Sequence, residues 1–533
     1  MTDHPGEGEE PEARSGTTAE DEGRPSAPEE TAPGPERRSV YRHPLAAVGG
    51  AMVVAGSLVF LVLLAIDLTS GAQNPYRALV TFIALPALIT LGALLFLLAL
   101  RLQVMQARKR GEHVRFTLRV EPSNPRYMRN LWLFLGLLVV LLGVVAFSGF
   151  KGYQATESVA FCGETCHTVM EPQAVTYENS PHARVACAEC HIGPGASFWV
   201  KSKVDGLRQV WKTITNSYDR PVATPIRSLR PAQETCEECH WPEQFYGQKL
   251  VNRSYFRTDE ANSPWTVSLL VNIGGGNPRT GVPEGIHWNM ITGNTVEYIA
   301  TDFARQEIAW VRRTDSAGNV TVYTDPDNPV DPAADGVEVR RFDCIDCHNR
   351  PSHRFLPPAT SLNQALASGT ISADLPFVRR VGLDLLMAEY VARDEANTRI
   401  PEGLREYYRV EYGDRYDALV PVIDQAAASL LGIYNTSFFP EMKTDYRVRT
   451  NNLSHFVNDG CFRCHFSNLE DEAGTRISST CTSCHAIVAQ GSSADLNELD
   501  SDIAGLPFVH PAEIGNAWQT VRCTQCHTPS QGY

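Results

Sequence analysis

A chain of 533 residues is too long for one compact core and has to divide into several units. The net charge of −14 marks an acidic protein, for which no nucleic-acid partner is expected. Fourteen cysteines fall into seven pairs, each followed directly by histidine with none left over, which argues against a disulfide scaffold and against a zinc ribbon.

From the N-terminus, residues 1–36 hold eleven Asp or Glu against only Arg14 and Arg24. Rich in Pro, Gly, Ser and Glu, this stretch predicts a disordered acidic tail over 1–40. Three uncharged apolar runs follow: Pro44 to Ile66, Ala78 to Leu100 and Leu131 to Phe150. Each is near the length of about 20 residues that crosses a bilayer as a helix, which predicts a three-helix anchor over 41–151. Arg37, Arg38 and Arg42 precede the first run, and the segment from Arg101 to Arg129 carries eight Lys or Arg against two Glu. The positive-inside rule therefore places the N-terminus and that segment in the cytoplasm, and everything after about Lys151 outside an inner membrane. Trp132 and Tyr127 suit the interface, and Pro86 is tolerable as a kink. No span carries a His pair or an ionisable residue, so neither haem b nor an ion path is expected within the bilayer.

The seven cysteine pairs come next. Six have two residues between the thiols: Cys187/Cys190-His191, Cys236/Cys239-His240, Cys344/Cys347-His348, Cys461/Cys464-His465, Cys481/Cys484-His485 and Cys523/Cys526-His527. The first, Cys162-Gly-Glu-Thr-Cys166-His167, is one residue longer. Two thiols at this spacing form thioethers to the vinyl groups of one haem, and the adjoining His binds its iron from one face. Seven covalent haem c groups are expected. Attachment takes place outside the cytoplasm, in agreement with the charge rule.

Between His240 and Cys344 the pattern turns strand-like at Trp265 to Ile273, Val296 to Ile299, Ile308 to Arg312 and Val320 to Tyr323, predicting a β-rich insertion over about 245–343. It lies within a tetrahaem unit of 152–357. Residues 358–450 carry apolar positions at helical spacing, such as Leu383, Leu386, Met387 and Tyr390, and predict a helical spacer. The last three motifs form a trihaem unit over 451–533. The fold class expected is mainly α: a multihaem c-type cytochrome with three transmembrane helices, a small β-rich insertion and a helical spacer.

Seven irons need further axial ligands. Five histidines outside the motifs lie beyond the membrane runs: His182, His287, His353, His455 and His510. His182 is too close to Cys187, and His353 to His348, to serve their own motifs, so both are expected to reach neighbouring haems. Met170, three residues beyond His167, is a candidate thioether ligand. The remaining iron is left five-coordinate, or bound by a group such as Lys203 or Met442.

A single apolar helix leading into Phe161-Cys162…Cys166-His167-Thr-Val-Met170 resembles the NapC/NirT/NrfH family of membrane-bound tetrahaem cytochromes, over about residues 131–357. The resemblance includes the intervals from His182 to His191 and from His348 to His353. It implies quinol oxidation, Met170 at the membrane-proximal haem, and His182 and His353 at the third and second haems. It also places Lys203 where some members have a haem ligand lining the quinol pocket. The longer first motif, two more spans, the insertion with Gly285-Ile-His287-Trp and three more haems depart from that pattern. They resemble the larger seven-haem inner-membrane cytochromes of ImcH type, as do Gly460-Cys-Phe-Arg-Cys-His465 and Phe438-Phe-Pro-Glu-Met442; there His287 is a candidate to replace Lys203 as ligand.

A quinol gives up two protons with its two electrons, so a proton acceptor is needed at the membrane surface. Asp205 is the candidate acceptor, with Lys201, Lys203 and Gln209 as polar partners. Lipid contact alone by an amphipathic helix is the plainer reading of that segment. The expected function is quinol dehydrogenation, with a menaquinol-type donor and a soluble extracytoplasmic cytochrome or other redox protein as acceptor. A passive relay fed by a partner protein, a terminal reductase of a small nitrogen compound at an open haem, and structural support in a larger complex stay open.

Overall fold

The structure is a computed structural model and describes residues 44–69, 75–110, 123, 125–165, 167–192, 196–226, 232–274, 285–290, 293–492 and 505–532. The acidic tail, His4, His43, His113 and Cys166 lie outside these residues. The chain divides into two compact units, residues 1–61 with 85–128 and residues 62–84 with 129–533.

Unbroken apolar sequence produces α1 (Pro44–Thr69), α2 (Pro75–Leu79) and α3 (Leu85–Lys109). A π-helical turn, Val80–Ala84, joins the last two directly ahead of Pro86, whose missing amide disturbs the regular ladder. Pro44–Ile66 and Arg77–Gln106 are long and apolar enough to cross a membrane. In the first unit α1 and α3 approach through glycines: a Cβ on Gly49 would sit 2.6 Å from the Gly92 carbonyl oxygen. Only the smallest residue permits that approach.

α4 (Pro125–Glu157), a helix of 33 residues that belongs to the second unit from Arg129 onward, exposes Trp132, Leu135, Val139, Leu142, Val145 and Phe150. Short helices then punctuate the motif region: α5 (Val159–Glu164), α6 (His167–Glu178), α7 (Cys187–His191), the longer α8 (Ala196–Ile214) and α9 (Ala232–Cys236).

Seven strands follow: β1 (Gly247–Phe256), β2 (Pro264–Gly274), β3 (Thr295–Ala300), β4 (Ile308–Thr314), β5 (Val320–Thr324), β6 (Arg340–Arg341) and β7 (His485–Gly491). The four expected strands are β2 to β5. β1 escapes the periodicity argument because it is mostly exposed and its sequence, Gly-Gln-Lys-Leu-Val-Asn-Arg-Ser, is largely polar. β1, β2 and β7 form one antiparallel sheet, and β5, β4, β3 and β6 form another. Thus β7, which begins on the sixth motif histidine, completes the hairpin of the insertion, with His485 opposite Val271.

α10 (Cys344–Cys347) is one turn of the fourth motif. Residues after it fold into α11 (Pro358–Ala367), α12 (Val378–Met387), α13 (Arg393–Glu411) and α14 (Tyr416–Ser437) around the largest apolar core of the chain. Leu362, Ile371, Leu386, Ile400, Leu404, Ile423 and Leu430 are fully buried in it. α15 (Phe462–His465) is one turn of the fifth motif.

Candidate functional site

The cysteine motifs are local helical turns, which explains their geometry without any tertiary help. In the third, fourth, fifth and seventh motifs the histidine amide donates to the carbonyl of the first cysteine, at 2.8 to 3.0 Å. The second motif is α7 itself. Such a turn keeps both thiols at one side and sets the histidine beside them. The sixth motif differs, since only Cys481–Ser483 is a 3-10 turn and His485 already belongs to β7.

The attachment cysteines are not equally covered. Cys239, Cys481 and Cys526 are exposed, whereas the other described cysteines are half-buried. Spacing alone does not distinguish these cysteines by exposure, and the structure does. Cys239 closes the turn that follows α9, its amide donating to the Cys236 carbonyl at 3.2 Å, and Glu238 and His240 on either side of it are exposed too. The third motif is therefore a surface turn, in which the protein covers Cys236 but leaves Cys239 open. A thioether needs only that a thiol reach a vinyl group, so exposure leaves Cys239 available for attachment while its protein packing is slight.

The remaining histidines stand opposite motif histidines. Ring centres are 6.1 Å apart for His182 and His240, 6.2 Å for His353 and His191, and 6.3 Å for His287 and His348. They are 6.2 Å apart for His455 and His485 and 6.0 Å for His510 and His527. An iron bound by two imidazole nitrogens at about 2 Å, each ring centre about 1 Å farther out, separates the centres by roughly 6 Å. The residues present therefore fit a haem iron between each pair.

The donor chemistry fits as well. The Nδ1–H of His353 donates to the Gln173 carbonyl at 3.1 Å and that of His287 to Ile273 at 3.0 Å, while Nδ1 of His510 faces both the carbonyl and the amide of Ala512, at 2.9 and 3.1 Å. The Nδ1–H of His182 donates likewise to the Pro351 carbonyl at 3.3 Å. Spending Nδ1 on a backbone carbonyl leaves Nε2 as the free lone pair, the arrangement that orients ligating histidines. Burial pushes His353 and His455 down to about 4 and lowers His191, His287, His348, His485 and His527, so these rings are neutral, as metal ligands must be. Burial also pushes the Cys347 thiol up to about 12 and those of Cys464 and Cys484 to about 11, surroundings that suit an uncharged thioether.

His287 reaches its place through two close backbone approaches. Gly285, at φ +116°, lies where a Cβ would come within 2.8 Å of the Gly274 amide nitrogen, and a Cβ on Gly274 would meet the Phe245 carbonyl oxygen at 2.3 Å. Both positions need glycine. Beside the sixth motif, Cys481, His485, Ile487, Leu506, Phe508 and Trp518 line a cavity of about 280 Å³. Its apolar walls suit a porphyrin face.

Successive motifs are spatial neighbours. The Cys162 thiol lies close enough to Cys187, and the Cys236 thiol to Cys344, for each partner to raise its pKa. Cys190 lies close enough to Cys236 to raise its pKa; Cys461 does the same to Cys347 and to Cys484, and Cys481 to Cys523. Among the described residues, each motif thus has a cysteine near one of the next motif. Arg463, inside the fifth motif and nearly buried, clasps the fourth by donating to the Asp346 carbonyl, and it also donates to the Arg305 and Gly460 carbonyls, all at 2.6 to 2.9 Å. Asp346 in turn accepts a 2.5 Å hydrogen bond from the Tyr298 hydroxyl on β3. Sequence reasoning missed Arg463 because it treats residues between the two cysteines as spacers.

Near the first motif, Lys203 on α8 forms an ion pair with Glu157 at the end of α4. Its ammonium also lies 5.4 Å from the centre of the Trp199 ring, which faces Tyr153. Both Glu157 and Lys203 act electrostatically on the Cys162 thiol. Asp205 is instead paired with Arg208 on the same helix at 3.7 Å. Lys201 and Gln209 are exposed. Glu157 carried no sequence signal, because 46 residues separate it from Lys203. Val200, Val204, Leu207, Trp211 and Ile214 form an exposed apolar stripe along α8. Met170 lies one turn beyond His167 on α6, and Met442 is buried in the helical core.

The sequence profile of the NapC/NirT cytochrome c family, N-terminal region, matches residues 126–234. The chain is 36% identical over 488 residues to the cytochrome c-type protein ImcH of Geobacter sulfurreducens, spanning 91% of this chain and 95% of that protein. It is 28% identical over 107 residues to the cytochrome c-type protein TorC of Escherichia coli K12, spanning 17% of this chain and 27% of the relative. No solved structure matches.

Proposed function

Since the chain belongs to the NapC/NirT-related family of membrane multihaem c-type cytochromes that includes ImcH, we propose that it is a seven-haem quinol dehydrogenase delivering electrons to an acceptor outside the cytoplasm. That it carries covalent haem c and belongs to membrane electron transport follows from the family; the count of seven, the third membrane crossing by α4, the outward orientation and the quinol are the proposal. The observation that carries it is the unbroken series of motifs with five opposed imidazole pairs. Haem, when bound, would supply one-electron chemistry, and motifs this closely spaced would let electrons pass from the membrane surface toward the C-terminal motifs.

In this reading Cys162 and Cys166 through to Cys523 and Cys526 hold the haems by thioethers, the exposed Cys239 included. Motif histidines His167, His191, His240, His348, His465, His485 and His527 bind the irons. His353, His182, His287, His455 and His510 would hold the second, third, fourth, sixth and seventh irons from the other side, and Met170 would serve the first. The apolar stripe of α8 lies in the lipid interface and brings the Glu157–Lys203 pair to quinol depth. Glu157 takes a quinol proton while Lys203 balances its charge, and Asp205 passes protons to water.

The test is anaerobic stopped-flow reduction of the holoprotein by a menaquinol analogue. Fast haem reduction that falls at least about tenfold in Glu157→Gln and Lys203→Met at unchanged haem content supports the site. A fall in Asp205→Asn alone moves the acceptor role to Asp205. No reduction by quinol, with full reduction by dithionite, overturns the reading in favour of a relay fed by a partner protein.

A further inference from the structure

The fifth motif stands apart from its neighbours. The Nδ1–H of His465 donates to the Ser478 carbonyl at 2.7 Å, so its Nε2 is as well oriented toward an iron as that of any paired ring. Yet among the described residues no second histidine stands opposite it. His182, His287, His353, His455 and His510 are each committed to another motif, at 6.0 to 6.3 Å.

The described methionines and Lys203 are also placed elsewhere. Met442 is 2% exposed within the helical core. The Met387 sulfur accepts from the Tyr446 hydroxyl at 3.3 Å. Met170 belongs to α6, beside the first motif, and Met290 closes a turn on His287. Met52 and Met105 belong to the membrane helices α1 and α3, and Met128 to α4. Lys203 is held as an ammonium by Glu157, and an ammonium has no lone pair.

Resting on the reading that the motif binds haem, we infer that the iron held through Cys461, Cys464 and His465 has an exchangeable sixth position and takes a small π-acceptor ligand such as carbon monoxide or nitric oxide. Low-spin iron with two strong imidazoles excludes such ligands; a single imidazole leaves the opposite face to water or to a guest molecule. The binding step is ligand association alone, with water leaving and no change in the iron's charge. The site lies past the tetrahaem region, at the junction clasped by Arg463, where a bound ligand changes the potential of the centre through which the series continues.

The experiment uses full-length holoprotein in detergent, reduced with dithionite and titrated with carbon monoxide. The expected result is a single carbon monoxide complex per chain, with its infrared C–O stretch shifted in His465→Met, where the group opposite the ligand has changed but both thioethers remain. A complex whose stretch is the same in His465→Met belongs to another iron and overturns the inference. Absence of any complex, with an entirely low-spin spectrum, overturns it too. Peptide mass spectrometry locates the haems: no haem on residues 461–465 overturns the attachment reading and this inference together, whereas haem there without a complex overturns the inference alone. Should His465→Met not assemble, Cys461→Ala/Cys464→Ala serves instead, and survival of the complex there counts against the proposal.

Discussion

The helical block of α11 to α14 and the motif segments around it are held together by different means. The block has a continuous hydrocarbon core, with Leu362, Leu386, Ile400, Leu404 and Leu430 fully buried. The motif segments are single turns such as α7, α10 and α15, with few buried apolar side chains, joined by hydrogen bonds from Arg463, Asn452 and Arg522 to backbone carbonyls and carboxylates. In the proposed reading, a porphyrin between each pair of opposed rings would supply the missing apolar surface. The comparison teaches that one chain can divide its stability between side-chain packing and cofactor, and each half should fail separately.

The sharpest break comes from protein made without haem attachment. Hydrogen exchange should then show the motif segments unprotected throughout, while residues 358–437 keep protected amides; uniform protection or uniform loss would erase the distinction. Next in size, Leu386→Ala and Ile400→Ala each empty a fully buried site and should cost about 2–5 kcal/mol of local opening free energy in the helical block. The haem spectrum should not change, and hydrogen exchange with optical spectra reads both. Arg463→Met removes the clasp between the fourth and fifth motifs and should cost roughly 1.5–3 kcal/mol at that junction. Stopped-flow reduction should then become biphasic, with the C-terminal haems lagging.

Smaller effects test the ligand pairs without touching stability. His353→Met should raise the potential of one haem and leave the others in place, as a redox titration would resolve. Electron paramagnetic resonance should separate the pairs by ring angle. The nearly parallel rings of His287 and His348, at 1°, should give an ordinary rhombic low-spin signal. The crossed rings of His182 and His240, at 71°, should give a strongly anisotropic one. Identical signals would deny the crossed geometry.

Much of the architecture was legible because its signals are local. Thioether attachment depends on a few adjacent residues, the apolar runs of α1 and α3 on composition, and β2 to β5 on alternation. β1 and β7 were less so. β1 is an exposed hairpin strand with a polar sequence, and β7 is a short apolar run whose partner, β2, lies some 210 residues earlier in the same register as the Asn272–Thr482 hydrogen bond. Nor does the repeated motif reveal that Cys239 is exposed while Cys236 is half-buried, since coverage depends on what packs over each turn. The candidate quinol residues were named from one helix; Asp205 pairs with Arg208 within that helix, and only the fold shows that Lys203 faces Glu157.

By itself, then, the amino-acid sequence determined where the cysteine motifs that would attach haem lie, which segments are apolar enough for a membrane, and which histidines are candidates as ligands. Each of those depends on neighbours within one turn or one run of chain. The tertiary structure alone decided which ring of His455 and His510 faces which motif, that His465 faces no other histidine among the described residues, that Arg463 spans two motifs, and that a carboxylate meets Lys203. Those are distances between groups tens to hundreds of residues apart, set by how sheets and helices pack, and no local pattern encodes them.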